Sequence, residues 1–214
     1  MQGAPVEYLK WYYNANVWKR THYRGVRTLK FPLDMWNYQE LMFENNIHWV
    51  LETGTRHGGS ALFFADWLDA DEREGVVVSV DITHAALHPL ASAHPKIRLL
   101  LGDSADFETI RMIRQSIPES RSGRLLLILD SDHSASHVLR ELNGLVPLLK
   151  RGDYLIVEDT IINGHPVRPE FGPGPLEAIE AYRLANPLML ASDDERATKF
   201  GCTFAHRGYF RIAQ

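Results

Sequence analysis

Five apolar runs in the chain each end on a carboxylate. "HWVLE" ends on Glu52, "GVVVSVD" on Asp81, "KIRLLLGD" on Asp103, "RLLLILD" on Asp130 and "DYLIVED" on the pair Glu158 and Asp159. One acid after one apolar run is an ordinary helix cap. Capping explains less well a series in which every run ends this way. Carboxylates gathered in one crevice need a cation or hydroxyl donors to balance them.

The first half of the series suits a nucleoside-bearing cofactor. In "LETGTRHGGS" (51–60), Glu52 stands beside Gly54, Gly58 and Gly59. Glycines let a backbone approach a ligand closely. Read from Gly54, however, the turn gives G-T-R-H-G-G, with Arg56 where the dinucleotide fingerprint requires its second glycine. An acid in this turn would repel a pyrophosphate and attract a positive group, such as the amino group of S-adenosylmethionine. Glu52 is therefore expected to hold that ammonium, with the glycines clearing room for the ligand. Asp81 is expected to accept hydrogen bonds from ribose hydroxyls. Asp103 or Ser104, in "GDSAD", is expected to contact adenine or ribose.

The second half suits a metal. Neighbouring strands lie about 4.8 Å apart, so Asp130 on one and Glu158 and Asp159 on the next would repel unless protonated or bridged by a cation. Oxygen ligands favour a hard ion, Mg²⁺ above all. His133 follows Asp130 by one short turn and reaches the same crevice, where a histidine can take a proton from a hydroxyl. Asp132 and His137 are weaker candidates for that task.

These residues must be positioned by the elements around them. The five runs are rich in Val, Ile and Leu and alternate with helical segments: "GSALFFADWLDA", "SADFETIRMIRQSI", "SASHVLRELNGLVPLLK" with a bend at Pro147, and "LEAIEAYRLAN". "FPLDMWNYQELMFENN" also reads as a helix, with Asp34 as its N-cap, and "GYFRIA" as a last strand. Continuous apolar strands separated by helices predict an α/β fold with a Rossmann-like, doubly wound, mostly parallel sheet. Ligands bind such sheets beyond the carboxyl ends of the strands.

Residues 1–33 read as an N-terminal arm and 34–214 as the catalytic domain. The arm interleaves Trp11, Tyr12, Tyr13 and Trp18 with Lys10, Lys19, Arg20, Arg24, Arg27 and Lys30. With the "NGHPVRPEFGPGP" loop it is expected either to close over an acceptor or to pack against another copy, and a homo-oligomer is expected.

A net charge of −4 over 214 residues gives no general attraction to nucleic acid or anionic membrane. No apolar run approaches the roughly 20 residues of a membrane span. No signal peptide is visible, so a cytoplasmic protein is expected. Cys202 is the single cysteine, can form no internal disulfide, and is expected to be a packed residue.

"ETGTRHGGSALFFA", "LDSDHSASHVLREL", "GDYLIVEDTIINGHP" and "GPGPLEAI" together resemble the cephalosporin hydroxylase family, whose members look like S-adenosylmethionine-dependent O-methyltransferases. The family is similar to the catechol and macrolide-sugar O-methyltransferases. The resemblance implies the class I methyltransferase fold, Mg²⁺ on Asp130, Glu158 and Asp159, and His133 as base. It implies cofactor contacts from Glu52, Gly54, Ser60 and Asp81; Thr55, Asp103, Ser104 and Asp130 are expected to complete the set. The expected function is Mg²⁺-dependent methyl transfer to a hydroxyl of a small molecule, a sugar or polyol on a natural product or glycolipid. The alternative is a non-catalytic, cofactor-binding partner of another biosynthetic enzyme.

Overall fold

The computed structural model describes residues 3–214. The arm folds into α1 (Ala4–Asn14), a 3-10 turn (Val17–Arg20) and a hairpin of β1 (His22–Tyr23) and β2 (Val26–Arg27). There follow α2 (Pro32–Glu44), β3 (Ile47–Thr53), α3 (Gly59–Ala70), β4 (Val77–Asp81), α4 (Pro89–Ser92), β5 (Ile97–Leu101) and α5 (Phe107–Ser116). Then come β6 (Arg124–Leu129), α6 (Ala135–Leu145), a 3-10 turn at Pro147, β7 (Tyr154–Val157), α7 (Pro175–Ala185), β8 (Leu190–Ser192), α8 (Asp194–Thr198) and β9 (Tyr209–Ile212).

The large sheet has the order β5-β4-β3-β6-β7-β9-β8. The first five strands are parallel, and β9 and β8 close the edge antiparallel. The five parallel strands are the five apolar runs, so every strand-end acid emerges on one side of the molecule. Strand order reverses between β3 and β6, which opens the crevice that doubly wound sheets use for ligands.

Period-two alternation divides the strands between two cores. Leu51, Leu125, Leu127, Leu155 and Val157 pack with Ile113, Leu142 and Ile179 of α5, α6 and α7. Val50, Leu126, Ile128, Tyr154 and Ile156 pack with Tyr38, Leu41, Phe64 and Leu68 of α2 and α3. Extending the alternation by one step aims Glu52, Asp130 and Glu158 at the α2/α3 face.

The arm is folded against the domain. Leu9, Tyr12 and Phe31 share a third core with Ile161, Ile162, Val167, Cys202 and Phe204. The Phe31 and Phe204 rings stack at 5.1 Å, 8° from parallel. Cys202 is a buried packing residue, as expected.

Asp34 is a correction. Helix α2 starts at Pro32 after Phe31, so Asp34 lies inside the first turn and caps nothing. It is buried and accepts from the Phe204 amide at 2.8 Å and the Tyr209 hydroxyl at 3.2 Å. Burial pushes its pKa up to about 8, and Glu158 adds to the rise. Among the described residues no helix is long and apolar enough to cross a membrane.

Candidate active site

A cavity of about 650 Å³ lies over the carboxyl ends of β3 to β6, within the range of small-molecule sites. Gly54, Thr55, Ser60, Asp81, Asp103, Ser104, Asp130, His133 and Asp159 line it. Tyr13, Trp18, Arg27, Thr28 and Leu29 of the arm line its other wall. The arm is thus part of the cavity.

The glycine turn works differently from the expectation. A Cβ on Gly54, whose φ is +88°, would lie 2.0 Å from the Asp130 carbonyl oxygen. One on Gly58 would meet Ala91 at 2.5 Å, and one on Gly59 would meet the Arg27 carbonyl at 2.3 Å. The glycines therefore clear room for the protein's own chain, joining β3 to β6 and seating the arm on α3.

Glu52 also departs from its expected task. It is fully buried, and it does not line the cavity. The Ser60 hydroxyl donates to one of its oxygens, and the Ser79 hydroxyl donates to the other at 2.9 Å. Ser79 sits opposite Glu52 in the β3/β4 register and Ser60 opens α3, so the sheet alternation sends the carboxylate beneath the cavity floor. Thr55 joins the same network, its hydroxyl 2.7 Å from that of Ser79.

Burial pushes the Glu52 pKa from 4.5 up to about 7, against the opposing pull of Lys30 and the two serine hydroxyls. Between those values the folded state binds more protons than the unfolded one, so stability falls as pH rises from about 4.5 to about 7. The contribution lost is on the order of 3 kcal/mol. Glu52→Gln is expected to flatten this part of the pH dependence in thermal melts. A variant with the wild-type slope would show that Glu52 does not titrate in this window.

Asp81 lies where a ribose-binding acid is expected, at the cavity wall. Its oxygens accept from the Arg56 amide at 2.8 Å and the Thr83 amide at 3.1 Å, which fixes the carboxylate. Asp103 also lines the wall, turned by the Ala105 amide at 2.8 Å. Ser104 is buried and donates to Glu141 of α6 at 2.5 Å. Ser131 donates to the same Glu141 oxygen at 2.7 Å, and His137 lies 3.6 Å from it. The Glu141 carboxylate beside it raises the His137 pKa.

At the β6/β7 end, ligating atoms of Asp130, His133 and Asp159 lie within 4.8 Å of one another. His133 Nε2 is 3.1 Å from Asp159 Oδ2. Asp159 adopts a left-handed backbone, φ 52°, a costly conformation that concentrates at functional sites. Burial pushes its pKa up to about 6; His133 pulls it down, while Asp130 and Glu158 push it further up. The Asp130 and Asp159 carboxylates converging in this way fit a hard divalent cation, with the His133 imidazole beside them.

Glu158, expected as the third metal ligand, lies outside this cluster. It is buried, paired to the Lys30 ammonium at 2.8 Å and to the Tyr38 hydroxyl at 2.5 Å. The same ammonium reaches Asp130 Oδ2 at 2.7 Å. Burial disfavours the Lys30 charge, but Asp130 and Glu158 outweigh it and raise its pKa. Sequence reasoning missed Lys30 and Tyr38, and also Ser79, Ser131 and Glu141. In the sequence Lys30 is one of several arm cations. The alternation that aims Glu158 at α2 was the available signal for Tyr38.

The family described as Rhamnosyl O-methyltransferase/CmcI matches residues 15–213. The chain is 47% identical over 206 residues to the rhamnosyl O-methyltransferase of Mycobacterium bovis, covering 95% of this chain and 82% of that protein. It has the same identity to the Mycobacterium leprae enzyme of that name, covering 88% of it. CmcI, solved with magnesium and S-adenosylmethionine, superposes with a TM-score of 0.71 at 25% identity, over 92% of this chain and 78% of that one. These likenesses bear out both the family resemblance and the fold. The chain belongs to the rhamnosyl O-methyltransferase/CmcI family and is an S-adenosylmethionine-dependent O-methyltransferase.

Proposed function

We propose that the methyl acceptor is a hydroxyl of a rhamnose-class sugar on a glycolipid or other natural product, and that Mg²⁺ takes part. The acceptor class rests on the 47% identity to enzymes named for rhamnosyl methylation. The observation that carries the metal is the convergence of the Asp130 and Asp159 carboxylates, with His133 beside them, on the cavity wall.

In this reading the residues on the β3–β5 side would hold the cofactor, Asp81 accepting from ribose hydroxyls with Asp103 beside it. S-adenosylmethionine supplies a methyl group on a positively charged sulfur. Asp130 and Asp159 would hold the metal, and the chemistry it would supply there is Lewis acidity. His133 would take the hydroxyl proton, so that the oxygen bonds to the methyl carbon as the sulfur–methyl bond breaks and S-adenosylhomocysteine leaves. Tyr13, Trp18 and Leu29 of the arm, which line the cavity, would help exclude water from it. A non-catalytic partner role accounts for the fixed Asp81 carboxylate but leaves the Asp130–His133–Asp159 convergence without a purpose.

Transfer of labelled methyl from S-adenosylmethionine to rhamnosides tests this. Expected is label on the sugar, lost in excess EDTA and restored by Mg²⁺. Transfer that persists in EDTA would remove the metal. Transfer to other hydroxyls but not to rhamnosides would remove the acceptor class.

A further inference from the structure

Glu141 of α6 is an acid that the proposed reaction leaves unused. The other buried residues of that helix, Val138, Leu142 and Leu145, are apolar, and Glu141 is fully buried beside them. A carboxylate removed from water is costly, and an apolar side chain would pack there at lower cost. Its Oε1 instead gathers hydroxyls from two strand ends. Ser104, after β5, donates to it at 2.5 Å, and Ser131, after β6, at 2.7 Å. The other groups near the Ser104 hydroxyl are farther away, His137 Nε2 at 3.3 Å and Ser131 Oγ at 3.4 Å. A serine hydroxyl has one hydrogen and two lone pairs. With its hydrogen committed to Glu141, Ser104 can offer a ligand only an acceptor, and Ser104 lines the cavity.

We infer that Glu141 is a positioning residue for the base of the cofactor: by taking the Ser104 hydrogen it makes that hydroxyl an acceptor, and so selects a base that presents a donor, the 6-amino group of adenine. This rests on the proposed placement of the cofactor, with its ribose at Asp81. Asp81 ends β4, and the sheet order puts β5 on the side of β4 away from β6 and β7. A methyl donor must turn its sulfur toward the acceptor end at β6 and β7, so its base would extend the other way, to the loop after β5 where Ser104 stands. Ser131 shares the same Glu141 oxygen, so one buried carboxylate ties the loops after β5 and β6 together beside that base.

Calorimetric titration of the full chain tests the inference, with thermal melts to confirm folding. The two probes are S-adenosylhomocysteine and its analogue with hydrogen in place of the 6-amino group. Wild type is expected to favour the amino form by about tenfold or more. Glu141→Leu removes the acceptor and frees the Ser104 hydrogen, so its preference is expected to fall to about threefold or less. Glu141→Gln can keep its oxygen on the two hydroxyls and put its nitrogen where Oε2 lies, an atom with no partner among the described residues. It is expected to keep the wild-type preference. A merely structural Glu141 would change both affinities together, so an unmoved ratio in folded Glu141→Leu would overturn the inference. Loss of the preference in Glu141→Gln would do the same, by giving control to the charge. If Glu141→Leu does not fold, Ser104→Ala decides, and a preference retained there overturns the inference. Asp81→Asn is expected to weaken both probes alike by about tenfold. Unchanged binding of both by that variant would overturn the placement of the cofactor itself.

Discussion

His133→Ala is expected to lower turnover by about 10²–10⁴-fold, the range for loss of a general base, while S-adenosylhomocysteine affinity stays within about twofold. The side chain of His133 is 29% exposed and faces Asp159 at 3.1 Å, so its removal opens little of the core. Asp159 then loses the larger of the two influences, His133 and Lys30, that pull its pKa down. The pH dependence of turnover is therefore expected to shift toward higher pH as well. Single-turnover methyl transfer and calorimetry with S-adenosylhomocysteine, run on the same variant, separate chemistry from cofactor binding. A variant with the wild-type rate would pass the base role to water or another group. Equal losses of rate and cofactor affinity would move His133 from the acceptor end of the cavity to the cofactor end.

Gly54→Ala is expected to be the most damaging small substitution in the site. The added Cβ would lie 2.0 Å from the Asp130 carbonyl oxygen and 2.7 Å from its carbon, both backbone atoms. The φ of +88° adds strain of its own. No flexible side chain can yield, so either β3 and β6 separate or Asp130 moves. A loss of roughly 3 kcal/mol or more is expected, with weaker Mg²⁺ binding by any fraction that folds. Gly25→Ala is the control: φ is +83° there too, but nothing lies within 4 Å of the added carbon, and a loss of about 1 kcal/mol or less is expected. Urea unfolding of the two variants compares strain alone with strain plus collision. Similar losses in both would mean that the close approach to Asp130 relaxes easily.

Much of this architecture was legible before any coordinates. The five apolar runs are the five parallel strands, and "GSALFFADWLDA" is the helix Gly59–Ala70. The strong signal there was consistency: β-branched and leucine-rich runs, each followed by a turn and a helix. Asp81, Asp103, Asp130, His133 and Asp159 could be nominated because parallel strands deliver their ends to one rim, and all five line the cavity. The arm was less legible. Its hairpin strands are two residues each, too short for a period to show, and α4 and α8 are similarly brief. The edge strand β8 has three residues.

What the sequence determined by itself is the rim: which residues end the strands, and that nearly all of them are acids. What only the tertiary structure decided is the direction each acid faces and what balances it. Glu52 turns to Ser60 and Ser79 beneath the floor, and Glu158 turns to Tyr38 and Lys30. The physical reason is separation along the chain. Lys30 lies 100 residues from Asp130 and 128 from Glu158, and no local pattern records a contact that exists only once the arm has folded onto the sheet. A buried carboxylate must find a partner, but which donor reaches it first is settled by packing.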